Sequence, residues 1–107
     1  MNTTNFNRCI ELVSFPIGKI DIECYLKLLK WENTEVVKLV KIGLTDEQAK
    51  TIVDFISSKN VETLVLTNNL LTEEFCKYLL AKETPYLKNI YLANNQIFGQ
   101  KSKSDLN

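Results

Sequence analysis

The chain has 107 residues, 45% of them apolar and 24% charged, which suffices for one domain with a hydrophobic core, falls short of two, and is too apolar for a disordered chain. Thirteen Lys and Arg balance thirteen Asp and Glu, so the clustered excess of positive charge that a phosphate-backbone binder needs is missing. The sequence contains no histidine, which excludes Ser-His-Asp and Cys-His catalysis, histidine proton shuttles and most zinc sites.

Taken in chain order, the N-terminal stretch MNTTNFNRCIELV lacks a charged leader with a small-residue cleavage site, so no signal peptide is expected. A first unit starts near residue 7. Ile10 and Leu12 alternate as in a strand with one buried face, with Phe15 and Ile17 following in register. Phe6 is placed to cover the edge of that unit. Ile22, Tyr25, Leu26 and Leu29 then form a helical stripe, and Trp31 is expected to pack in the helix-to-strand loop. A second unit starts near 34 with Val37, Leu39, Ile42 and Leu44. Its helix carries Ala49, Ile52, Val53 and Ile56 on one face, with Thr45 and Gln48 as a capping box and Asp46 and Glu47 favouring the helix start.

A third unit starts near 61 with Leu64, Leu66 and Leu71. Thr72 opens its helix, whose stripe is expected at Cys76, Leu79 and Leu80. A fourth starts near 87, with Ile90, Leu92 and Ile97, and gives way to a polar tail over 99–107. The spacing between units is therefore 27, 27 and 26 residues. Residues 1–107 read as a single domain. Strand, helix and strand in alternation imply an α/β fold with parallel pairing and right-handed crossovers. No unit buries its stripe alone; stacked neighbours do. The predicted core comprises Ile10, Leu12, Ile17, Val37, Leu39, Leu44, Leu64, Leu66, Leu71, Ile90, Leu92 and Ile97.

The third and fourth units both read apolar-x-x-apolar-x-Leu-x-x-Asn-x-apolar, from Val61 to Leu71 and from Leu87 to Ile97. This resembles the leucine-rich repeat, in its ribonuclease-inhibitor-like form, over residues 7 to 98. The resemblance implies a short right-handed solenoid, with a parallel sheet on the concave side and helices on the convex side. It also implies that Asn69 and Asn95 satisfy backbone groups where the chain bends. Phe15 and Ile42 hold that position in the first two units, so only two asparagines are available for such a ladder.

The outward strand positions would form the interaction surface. Its central column is Glu11, Lys38, Val65 and Tyr91, flanked by Thr63, Asn89 and Thr67, with Asn68 and Asn94 at the strand exits. Glu11 and Lys38 are expected to lie side by side. Tyr91 is the expected anchor, because exposed aromatics carry disproportionate interface energy. The surface is mixed and low in charge, so the expected partner is a protein, not nucleic acid or a membrane.

Cys9, Cys24 and Cys76 are odd in number and lack CxxC spacing, and are expected to be buried reduced thiols in a cytoplasmic protein. Lys27, Lys30, Lys50, Lys59, Lys77 and Lys82 read as solvated helix faces. No metal or cofactor is expected, and no enzymatic activity. Members of the resembled family that assist a partner GTPase use a loop arginine or ordered polar loop residues outside the repeats; the sole arginine here is Arg8, and the loops are minimal. The expectation is a non-catalytic protein-binding module, an inhibitor or a microbial effector; the lysine-rich, asparagine-rich composition of an AT-rich genome fits a microbial source, and an effector would be delivered into a host cell. The alternative is a structural protein that self-associates, as a homodimer for example, through the C-terminal edge, because bare strand edges are association sites.

Overall fold

A computed structural model describes residues 9–15, 21–29 and 31–97. Arg8, Ile17, Lys30, Phe6 and the tail over 98–107 lie outside the described residues. The elements run β1 (Cys9–Val13), α1 (Ile22–Leu28), β2 (Val36–Val40), α2 (Asp46–Ile56), β3 (Thr63–Val65), α3 (Glu73–Ala81) and β4 (Asn89–Tyr91). The four strands form one sheet in the order β1-β2-β3-β4, every neighbouring pair is parallel, and the register places Glu11, Lys38, Val65 and Tyr91 in one row. Helix α2 packs between α1 and α3. The described residues thus form an α/β fold of four parallel strands and three helices.

Each strand ends in the same bend. Ser14, Lys41, Asn68 and Asn94 all adopt positive φ, at 56°, 56°, 59° and 60°. This left-handed conformation is costly for most residues and least so for asparagine after glycine. The first three of these residues donate their backbone N–H to Val40, Thr67 and Ala93 of the next unit, at 2.9, 3.2 and 3.0 Å. The bend is therefore part of the inter-strand ladder.

Two asparagines lock the inside of these bends. The Asn69 amide donates to the carbonyls of Leu39, Leu66 and Thr67 at 2.7, 3.0 and 3.1 Å. Its oxygen accepts from the N–H groups of Ile42 and Leu44 at 3.0 and 3.1 Å. Asn95 repeats all five contacts one unit later. It donates to Leu66, Leu92 and Ala93 and accepts from Asn69 and Leu71 at 3.1 and 3.0 Å. Backbone groups that the bend would leave without partners are thereby paired, each otherwise costing about 1–3 kcal/mol when buried. At the equivalent places Ile42 is buried, while Phe15 is 39% exposed.

The helices start at side-chain caps. Asp21 accepts from the backbone of Glu23 and Cys24, and Thr45 and Gln48 form the expected capping box. Thr72 accepts from Glu74. Asp46 reaches across to the next unit, accepting the Thr72 N–H at 2.9 Å and its hydroxyl at 2.5 Å. One carboxylate thus favours its own helix start and ties down the N-cap of the following helix. Trp31 sits in the helix-to-strand loop as expected; its Nε1 donates to the Leu26 carbonyl at 2.8 Å, and its ring meets Phe55 at 5.3 Å.

The core lies between one face of the sheet and the helices. It contains Val37, Leu39, Leu44, Ala49, Ile52, Val53, Ile56, Leu64, Leu66, Leu71 and Leu92, with Ile42, Val61, Ile22 and Leu26. Three expectations are corrected. Ile10, Leu12, Ile90 and Ile97 are half-buried, not core; they lie in the first and last units, which have a neighbouring unit on one side among the described residues, although Leu92 of the last unit is buried. The stripe of α3 runs through Phe75, wholly buried, and Leu79, whereas Leu80 is 51% exposed and Cys76 half-buried. The cysteines form no disulfide among the described residues and are not buried: Cys24 is exposed, and Cys9 and Cys76 are intermediate.

Candidate interaction face

The face of the sheet opposite the helices carries Cys9, Glu11 and Val13 from β1, Val36, Lys38 and Val40 from β2, Thr63 and Val65 from β3, and Asn89 and Tyr91 from β4. None of these is buried. Alternation of the pleat puts them there while Val37, Leu39 and Leu64 point into the core. The parallel register turns residues far apart in sequence into rows: Cys9, Val36, Thr63 and Asn89 in one, Glu11, Lys38, Val65 and Tyr91 in the next.

All the residues expected to contact a partner are described, and the strand members come together on this face. Tyr91, 47% exposed, closes the central row. Asn89 donates to the Thr63 hydroxyl at 3.3 Å. Thr67 continues the face past the end of β3, where its carbonyl accepts from Lys41 and from Asn69. Glu11 and Lys38 face each other across β1 and β2, but their charged groups do not close to an ion pair. Burial raises the Cys9 thiol above its ordinary value, ahead of the opposing pull of Lys38. Asn68 and Asn94 are exposed at the exits, and their left-handed backbone gives the asparagine type a local reason besides contact.

Beyond the N-terminal ends of β2, β3 and β4, the loops border a cavity of about 600 Å³ whose walls include Trp31, Glu35, Lys59, Glu62, Tyr86 and Lys88. Glu62 and Lys88 approach to 4.0 Å there. Glu35, Glu62 and Lys88 stand at equivalent places in successive units, but the repeat spacing gives no sign of the cavity, because Tyr86 and Trp31 reach it from different loops.

On the helix side Lys27 and Lys77 are exposed as expected, whereas Lys50, Lys59 and Lys82 are half-buried and make contacts, which corrects the reading for those three. Lys82 lies 2.9 Å from the Asp54 carboxylate, which also accepts the Tyr78 hydroxyl. The Tyr78 hydrogen bond, with Lys82 behind it, holds the Asp54 carboxyl below its usual value; the same bonds raise Tyr78 and Lys82. Lys50 stands 5.5 Å from the Tyr78 ring, and Lys59 lies 4.8 Å from that of Phe55. The cluster joins α2 to α3.

Among the described residues, no group of three His, Cys, Asp or Glu side chains is placed to hold a metal ion, and no helix is long and apolar enough to cross a membrane. No known protein family, no curated protein and no solved structure matches this chain.

Proposed function

We propose that this chain is a small, non-catalytic module of the leucine-rich-repeat type that binds a protein partner on the open face of its sheet. In this reading the stacked units form a short right-handed solenoid, with the sheet concave and the helices convex. The row Glu11, Lys38, Val65 and Tyr91 carries the proposal. An acid, a base, a branched apolar group and an aromatic stand side by side, all solvent-accessible, a mixture suited to a polypeptide and poorly suited to a nucleic acid backbone.

The asparagine ladder supports the reading from behind. It fixes the bends after β2 and β3, so the surface is preformed and binding does not have to order it. Tyr91 is the anchor, and Thr63, Asn89 and Thr67 supply hydrogen-bonding groups around it.

The test is affinity capture from a lysate of the source organism, and of its host if it has one, with mass spectrometry, comparing the wild-type chain with Tyr91→Ala and Lys38→Glu. A specific protein captured by the wild type should be lost from both variants while their melting curves stay superimposable. Retention of every captured protein by both variants would overturn the reading.

A further inference from the structure

The asparagine ladder has a direction. Asn69, in the third unit, bonds the N–H groups of Ile42 and Leu44 and the carbonyl of Leu39, all in the second. Asn95, in the fourth, bonds the N–H groups of Asn69 and Leu71 and the carbonyl of Leu66, all in the third. Each amide thus serves the unit before its own. The matching groups of the fourth unit are the N–H groups of Asn95 and Ile97 and the carbonyl of Leu92. Those two N–H groups have no acceptor among the described residues, and the Leu92 carbonyl carries one amide, that of Asn95, where the Leu66 carbonyl carries two.

Three apolar columns are open at the same end, although Leu92, which succeeds Leu66, is buried. Val53, wholly buried, is succeeded 27 residues on by the half-exposed Leu80. Leu64 and Leu71, both wholly buried, are succeeded by the half-buried Ile90 and Ile97. β4 is the last strand of the sheet.

We infer that this end of the molecule is a docking site for a partner polypeptide that adds a strand parallel to β4 and places an asparagine amide at its turn. The oxygen of that amide accepts from Asn95 and Ile97, and its nitrogen donates to Leu92. The apolar residues flanking the turn cover Ile90 and Ile97. The occupant is not a second copy stacked head to tail, because the first unit presents Phe15, not an amide, at that place. The site is distinct from the open face of the sheet and does not depend on the partner proposed there.

A synthetic peptide with the sequence of residues 61–71, which carries the asparagine turn, is the probe. Titrated into the isotopically labelled full chain, it should shift the amide signals of Tyr91 to Ile97 saturably and slow hydrogen exchange at Asn95 and Ile97 by about tenfold. The same peptide with the substitution corresponding to Asn69→Ala should bind at least about tenfold more weakly. Equal binding of the two peptides, or shifts elsewhere only, would overturn the inference. So would strong protection of both amides in the free chain that disappears when the chain is shortened to end at Ile97, since residues 98–107 would then be the occupant.

Discussion

Val53 and Leu80 occupy the same place on successive helices, yet one is sealed in the core and the other is half in water. The same holds along the sheet for Leu66 of the third unit and Leu12 of the first. In neither pair does side-chain chemistry make the difference. Helix α3 lies against α2, and among the described residues no further helix lies against α3. Among the described residues β3 has neighbours on both sides and β1 on one. At these two places burial follows the junctions between units, although Leu26 in the first unit and Leu92 in the last are buried as well.

Substitution within the helical pair should break the comparison most visibly. Val53→Lys forces an ammonium into the core without a partner and should cost more than about 4 kcal/mol. That is much of what holds a domain of this size together, and circular dichroism should show the chain largely unfolded. Leu80→Lys has water to point into and should change stability by less than about 0.5 kcal/mol. Comparable losses would mean that Leu80 is covered in solution.

The strand pair sharpens the point at lower amplitude. Leu66→Ala should lose about 2–5 kcal/mol in urea unfolding, the range for emptying a fully packed leucine site. Leu12→Ala should lose about 1–2 kcal/mol, because part of that side chain is hydrated already. An equal loss at Leu12 would place a covering element over β1.

These contrasts also explain what the sequence discloses. Strand and helix positions follow from two competing periods, and parallel order follows from their alternation, so the four strands and three helices were legible. The ends were not. Nothing in Ile90 as a residue type distinguishes it from Leu64. Phe75 was missed because register with the second unit lays it over Gln48, a polar residue occupied in a capping box; its i, i+4 relation to Leu79 was the available signal. The rows of the open face were legible through the repeat spacing, since 27, 27 and 26 residues carry Glu11 to Lys38, Val65 and Tyr91. The link from Asp46 to Thr72 and the cluster of Asp54, Tyr78 and Lys82 were not, because side chains on exposed helix faces choose partners by rotamer and by the angle between helices. Asn68 and Asn94 suggested contact by their outward place at the strand exits, whereas the bend they occupy also holds Ser14 and Lys41.

The two ladder asparagines extend the same comparison to hydrogen bonds. Both make five contacts, but Asn69 is buried and Asn95 only half so. Asn69→Ala leaves buried donors at Ile42 and Leu44 and a buried acceptor at Leu39, and should cost about 2–3 kcal/mol. At Asn95 water reaches part of the vacated site, and alanine there should cost about 1 kcal/mol. Reversal of that order in thermal unfolding would show that the fourth unit contributes more to cohesion than its exposure indicates.

The smallest effect belongs to the junction of α2 and α3 on its solvent side. Asp54 is held below the ordinary carboxyl value by the Tyr78 hydroxyl and then by Lys82, so the unfolded chain takes up its proton first. The stability this carboxylate supplies is present above the unfolded value and fades as pH falls through the folded one. For Tyr78 and Lys82, both raised, the contribution is present below their unfolded values and fades as pH rises through the folded ones. Asp54→Asn should therefore flatten both the acid and the alkaline limbs of a plot of melting temperature against pH. The change should be small, because exposed ion pairs are screened by solvent, and smaller still at high salt. If the acid limb survives the substitution intact, Asp54 does not control stability at low pH.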